Sequence, residues 1–171
     1  MEMNRNATLR LAYGGVLAAM IALLTAFVRL PVVMLKGYAH LGDVGILLSS
    51  LILGPFAAVP AAVGSALADL LAGYAMYAPF TLLIKGLMGF FLGKWIARKR
   101  LSARSVILTA LVALFMVGGY FLADMLLYGL EAAIASVVGN AVQGGALVAG
   151  GLVLLPLYCS LPQSIQRRFL K

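Results

Sequence analysis

Charge is scarce in this chain. Only 11% of its 171 residues are charged, five of them acidic, and it holds one cysteine, one histidine and one tryptophan. Cys159 alone cannot form a disulfide within the chain, and with His40 as its only companion no Cys/His metal cluster can be assembled. No metal and no cofactor is therefore expected. A G-x-x-x-x-G-K-[ST] phosphate loop is absent; the stretch Gly89-Phe90-Phe91-Leu92-Gly93-Lys94-Trp95 pairs glycine with lysine at the wrong spacing and without Ser or Thr. That excludes ATP hydrolysis by this route. There is also no G-x-S-x-G elbow and no H-E-x-x-H. His40 and Asp43 lie close together but lack a nucleophile, which leaves little for an enzyme to use.

Apolar residues fill the space that charge leaves. They make up 64% of the chain, and the mean hydropathy is +1.07. A soluble domain of this size could not cover so much apolar surface, so an integral membrane protein is expected. A spanning helix takes about 20 residues, which limits the chain to about six or seven spans. Nineteen glycines suit helices that pack closely in lipid, and the alternation of a transmembrane barrel is missing. The apolar run from Leu11 to Val28 is too long for a cleaved signal peptide and is not followed by small residues at a cleavage site.

The net charge of +8 raises the question of nucleic acid, and its distribution answers it. Ten of the thirteen basic residues lie at Arg5 and Arg10, in the cluster Lys94, Arg98, Lys99, Arg100 and Arg104, and at Arg167, Arg168 and Lys171. This is the pattern of the positive-inside rule, and it leaves no basic face for a nucleic acid.

Six spans are read, at about 8–28, 41–54, 56–73, 79–97, 105–128 and 133–158. The connecting loop 29–40 carries Pro31, Lys36 and Gly37. The second span is too short for perpendicular hydrocarbon and must be irregular or shielded. The expected fold is thus all-α: one domain, 1–171, an integral membrane bundle of six transmembrane helices with N- and C-termini cytoplasmic. No internal repeat of the inverted-repeat transporter kind is found.

Polar residues recur inside these spans at helical spacing. Tyr77, Thr81 and Lys85 share one face of the fourth span, and Tyr120, Asp124 and Tyr128 one face of the fifth. Lys85 lies six residues past Pro79, roughly 9 Å along the helix. Asn140 and Gln143 share a face of the sixth span, and Asp69 sits near the outer end of the third. Ionisable groups at membrane depth are costly, so an interior polar site in the outer half is expected. The competing reading makes Asp69, Lys85 and Asp124 structural ion pairs, snorkelling ends or caps, the tyrosines an interfacial belt, and His40 a hydrogen-bonding loop residue. In the first span Ala18, Ala22 and Ala26, with Gly14 one turn earlier, form a ridge of small residues against which a helix of this chain or of another can pack.

Taken in order, Gly42-Asp43, Leu53-Gly54-Pro55, Gly64-Ser65, Ala68-Asp69, Gly73-Tyr74, Pro79, Thr81 and Ile84-Lys85-Gly86 resemble the substrate-binding S components of energy-coupling factor (ECF) vitamin transporters. The resemblance covers essentially the whole chain, and its branch includes the riboflavin, pyridoxine and hydroxymethylpyrimidine types. It implies a non-catalytic subunit of a prokaryotic cell membrane that captures a vitamin outside. The loop after the first span would close over the vitamin, and the subunit would topple when a transmembrane T component and two cytoplasmic ATPases drive it. An A-x-x-x-A motif on the first helix docks to the T component in that family, and it maps here onto Ala18, Ala22 and Ala26. Lys36, His40, Tyr77, Thr81, Lys85, Tyr120, Asp124, Asn140 and Gln143 lie where the vitamin pocket should be.

Tyrosine faces, a cation, a carboxylate and two amides suit a small heteroaromatic ring bearing hydroxyls and a ring nitrogen. Asp124 would accept from a ring N–H or hydroxyl, and Lys85 would donate to a phenolate. A vitamin B6-type pyridine is the favoured ligand, with riboflavin, hydroxymethylpyrimidine and pantothenate open. Thiamin is disfavoured because Trp95, the only tryptophan, sits on the cytoplasmic side. A stand-alone secondary transporter or channel, coupled to protons through Asp69 or Asp124, is the alternative class.

Overall fold

The computed structural model describes residues 5–32, 37–96 and 101–162. Its helices are α1 (Arg5–Phe27), α2 (Gly42–Leu53), α3 (Ala58–Leu71), α4 (Ala78–Trp95), α5 (Ala103–Tyr128) and α6 (Leu130–Ser160). Local chemistry sets their ends. Asp43 in the first turn of α2 complements the positive end of the helix dipole. Pro79 occupies the first turn of α4, where its missing N–H costs nothing. Ser102 and Ser105 cap the start of α5 reciprocally. Gly129 takes a φ of 89° between α5 and α6, a conformation that favours glycine.

Between α1 and α2, where the sequence reads as a plain loop, the chain forms a hairpin of β1 (Arg29–Val32) and β2 (Gly37–His40). The strands are antiparallel and pair Arg29 with His40 and Val32 with Gly37. Backbone N–H and C=O groups at the edge of an apolar bundle need partners, and a ladder supplies them.

Among the described residues, four stretches are long and apolar enough to cross a membrane: Ala7–Phe27, Gly42–Leu71, Ala103–Tyr128 and Leu130–Ser160. The second of these is not one straight rod. Along α4 from Lys85 to Gly93, the contacts with α2 climb from Asp43 through Ser50 to Gly54. Over the same stretch the contacts with α3 fall from Ala62 at Gly86 to Ala57 at Gly89. So α2 runs parallel to α4, and α3 runs against it. The reversal falls in a short 3-10 turn, Gly54–Ala57, opened by Gly54 at a φ of 58° and followed by Pro55. A side chain at Gly54 would be strained there, and proline fits the first turn after it.

The short helix α2 is the innermost element. Its 12 residues reach about 18 Å, well short of the ~30 Å of hydrocarbon. Its neighbours α1, α3, α4 and α6 cover it, and Ile46, Leu47 and Leu51 are fully buried. They join Ile21, Met88, Leu92, Met116 and Leu147 in the main core. A helix apolar all round belongs in such a place. Outside it, Leu11, Val16, Leu23, Leu83, Leu114, Leu126 and Val153 are exposed apolar residues, the surface that a lipid solvent accommodates.

Candidate ligand-binding site

Three helices bring polar groups to one buried point, two of them charged. From α4, Lys85 Nζ reaches Asp43 Oδ1 of α2 at 2.6 Å, and both side chains are 1% exposed. From α6, the Gln143 Nε2 amide donates to Asp43 Oδ2 at 2.7 Å. The ammonium also sits 5.1 Å from the centre of the Tyr120 ring, a cation–π distance. Burying one such charge alone would be prohibitive. Here each carboxylate oxygen has a donor, which is the condition under which a buried pair persists. His40, half-buried at the end of β2, accepts a bond from the Gly42 N–H at 3.3 Å through Nδ1, placing the imidazole beside the start of α2.

One turn further out on α4, the Thr81 and Tyr120 hydroxyls are 3.0 Å apart. Asp69 of α3 lies close enough to Thr81 and Lys85 to interact with both. At the entrance to α4 the Tyr77 hydroxyl donates to Asp124 Oδ1. The Tyr77 ring stands 5.9 Å from that of Tyr128 and 6.3 Å, edge-on, from that of Tyr74. Polar side chains of α2 to α6 thus form a continuous column from the tyrosines inward to Asp43.

Of the residues singled out in the sequence, Tyr77, Thr81, Lys85, Tyr120, Asp124 and Gln143 come together in this column. Asn140 is half-buried on α6 and takes no part in the hydrogen bonds described. Lys36 lies outside the described residues. Lys85, foreseen as a donor to a ligand phenolate, donates to Asp43 here. Asp43 is the residue missing from the foreseen set. Its signal was present: a lysine buried in a membrane helix needs a carboxylate, and Asp43 stands in the most apolar of the segments that carry one.

The small-residue ridge of α1 has a neighbour in its own chain. Ala18 and Ala22 are 8% and 7% exposed. Gly64 of α3 packs directly on the Ala18 backbone, so closely that a Cβ there would collide with its carbonyl. Ala26 is half-buried, while Gly15 and Ala19 are exposed on the other side of α1.

A family model described as "ECF-type riboflavin transporter, S component" matches residues 5–161. A Pyrococcus woesei protein described as "Uncharacterized protein in gap 3'region" is 37% identical over 132 residues, covering 75% of this chain and 88% of its own. Among solved structures, that of FolT bound with folic acid superposes with a TM-score of 0.65 at 24% identity, over 89% of this chain and 95% of FolT. The S component for biotin from an ECF-type ABC transporter gives 0.62 at 16% identity, over 99% and 100%. At these identities the two structures speak for the fold.

Proposed function

Because the chain belongs to the family of ECF-type riboflavin transporter S components, a family of non-enzymatic, membrane-embedded subunits that bind a vitamin-like substrate, we propose that it captures a flat, nitrogen-containing heteroaromatic vitamin in the column between Tyr77 and Asp43. The observation that carries this reading is the column itself: hydrogen-bonding groups from α2, α4, α5 and α6 meet inside an apolar bundle. Tyr77, Thr81, Tyr120 and Asp124 contact the ring and its substituents. Lys85, Gln143 and Asp43 form the floor, with His40 beside it at the start of α2; Asn140 contributes one turn before Gln143, and Lys36 is a further ligand contact in this reading.

Riboflavin is the first candidate, on the strength of the family description. A B6-type pyridine is the second. It is favoured by the Asp124 carboxylate beside the neighbouring rings of Tyr77 and Tyr128, which suits a small ring with a hydroxyl and a ring nitrogen.

The six-helix bundle spans a prokaryotic cell membrane, with both termini in the cytoplasm, and residues 1–171 act as one domain. The alternating helix directions support this, as does the basic cluster between α4 and α5. A T component and two cytoplasmic ATPases supply the energy, and ATP is hydrolysed on those partners. The T component docks on α1. The foreseen ridge continues at the half-buried Ala26, and the exposed Gly15 and Ala19 extend the surface for close approach.

The test is mass spectrometry of small molecules released from the gently purified chain, followed by titration. A stoichiometric flavin or B6 compound establishes the role and the ligand. A folded protein that carries no vitamin and binds none overturns it.

A further inference from the structure

A hydroxyl buried in a helix can turn back on its own backbone. Ser49, Ser50 and Thr109 do so here, each donating to the carbonyl four residues earlier. Ser65 of α3, 1% exposed, makes no such bond and has no other partner. One turn further along α3, Asp69 Oδ2 is also buried and without a partner. Each buried polar atom left this way costs free energy, and a ligand that brings hydrogen-bonding groups relieves the cost.

The register of α3 on α4 puts both oxygens on the column. Ala61, Ser65 and Asp69 follow one another at four-residue spacing on one face of α3, and Gly89, Lys85 and Thr81 do the same on the antiparallel α4. Gly89 packs on Ala61 at one end of this contact. At the other end Asp69 lies within reach of Thr81 and Lys85. Ser65 therefore falls at the level of Lys85. Asp69 also lies within electrostatic reach of Tyr77 and Tyr120. Polar groups of α2, α4, α5 and α6 in the column pair with one another, whereas α3 brings two oxygens that do not.

We propose that Ser65 and Asp69 form a subsite for aliphatic hydroxyl groups carried by the captured ring. This rests on the vitamin-capture reading and deepens it, by naming the part of the ligand that α3 reads. The chemistry of the pair sets the class. An ionised carboxylate only accepts, and a serine hydroxyl both donates and accepts. An alcohol does both as well, so one ligand hydroxyl donates to Asp69 Oδ2 and another exchanges a bond with Ser65. The two residues stand roughly 6 Å apart along the helix, so a polyol chain or two separate hydroxyl-bearing carbons serve them better than a single hydroxyl. An alkyl group in the same place leaves both oxygens unpaired, which is the condition under which a polar site discriminates strongly.

The experiment titrates the full chain in detergent micelles with matched pairs. Riboflavin is compared with lumiflavin, the same ring carrying a methyl group in place of the hydroxylated chain, and pyridoxine with 4-deoxypyridoxine, which lacks one hydroxyl. In the pair that binds, the fully hydroxylated member should be favoured at least about tenfold, the scale of one lost hydrogen bond to a charged group. Ser65→Ala and Asp69→Ala should each shrink that preference by weakening the hydroxylated member and sparing its analogue. Retained affinity for the analogue also shows that the variant is folded, and Ser65→Ala, the smaller change, decides the matter if Asp69→Ala does not fold. Equal weakening of both members in Ser65→Ala, or no change in either, overturns the subsite. So does an unmodified chain that binds both members of a pair alike. These outcomes leave vitamin capture standing. A folded chain that binds no probe removes the capture reading and this inference with it.

Discussion

Asp43 and Lys85 carry the sharpest energetic consequence at the level of single residues. Removing either partner leaves the other charge buried and uncompensated. Asp43→Asn or Lys85→Met should therefore lower stability by about 3–5 kcal/mol. The double variant Asp43→Leu with Lys85→Met leaves no orphan charge and should be more stable than either single change. Thermal unfolding in detergent checks the order, and a double variant as damaged as the worse single would refute the argument. Asp124→Ala should weaken vitamin binding by about 1–3 kcal/mol through a lost charge-assisted bond, read by titration; unchanged affinity would reduce Asp124 to a partner of Tyr77. The helical spacing of Tyr77, Thr81 and Lys85 and of Tyr120 and Asp124 was legible in the sequence, because a period of 3.6 residues places them on one face. That Lys85 needs a carboxylate was legible too, but that Asp43 supplies it rather than Asp69 or Asp124 was decided only by the packing of α2 on α4, since the two lie 42 residues apart.

Between elements, the close approaches are made by small residues. Gly64 lies on the Ala18 backbone, Gly89 on Ala57 and Gly93 on Gly54. Gly93→Val would force α4 off the turn that reverses the chain, and overpacking of this kind typically costs about 1–3 kcal/mol or more. The two faces of α1 make a cleaner test. Ala18→Leu should disturb the α1–α3 contact and lower both stability and vitamin affinity. Ala19→Leu, on the exposed face, should leave affinity intact and reduce uptake in cells that hold the T component and ATPases. Equal loss of affinity in both variants would mean that α1 has no separate docking face. Periodicity alone revealed a ridge at Ala18, Ala22 and Ala26 but not which neighbour covers it, since α3 and a partner helix want the same small residues. The hairpin Arg29–Val32 with Gly37–His40 escaped the sequence for a related reason: its pairing satisfies backbone groups rather than burying an alternating apolar face.

For the molecule as a whole, the proposal is a binding subunit without an engine. Cells that express this chain alone should bind vitamin in proportion to protein and accumulate no more, whereas adding a T component and the two ATPases should produce uptake dependent on ATP. Continuous accumulation by the chain alone would favour the channel or secondary-transporter class. The membrane environment, the helical boundaries to within a few residues and the polar stripes all followed from the sequence. These depend on hydropathy, helical period and turn residues, properties that neighbours along the chain hold in common. The partner of Lys85, the inward face of α1, the burial of α2 and the unpartnered oxygens of Ser65 and Asp69 were decided by tertiary structure. Each depends on which helix meets which across the bundle, and residues from α1 to α6 had to be in place before any of those contacts existed.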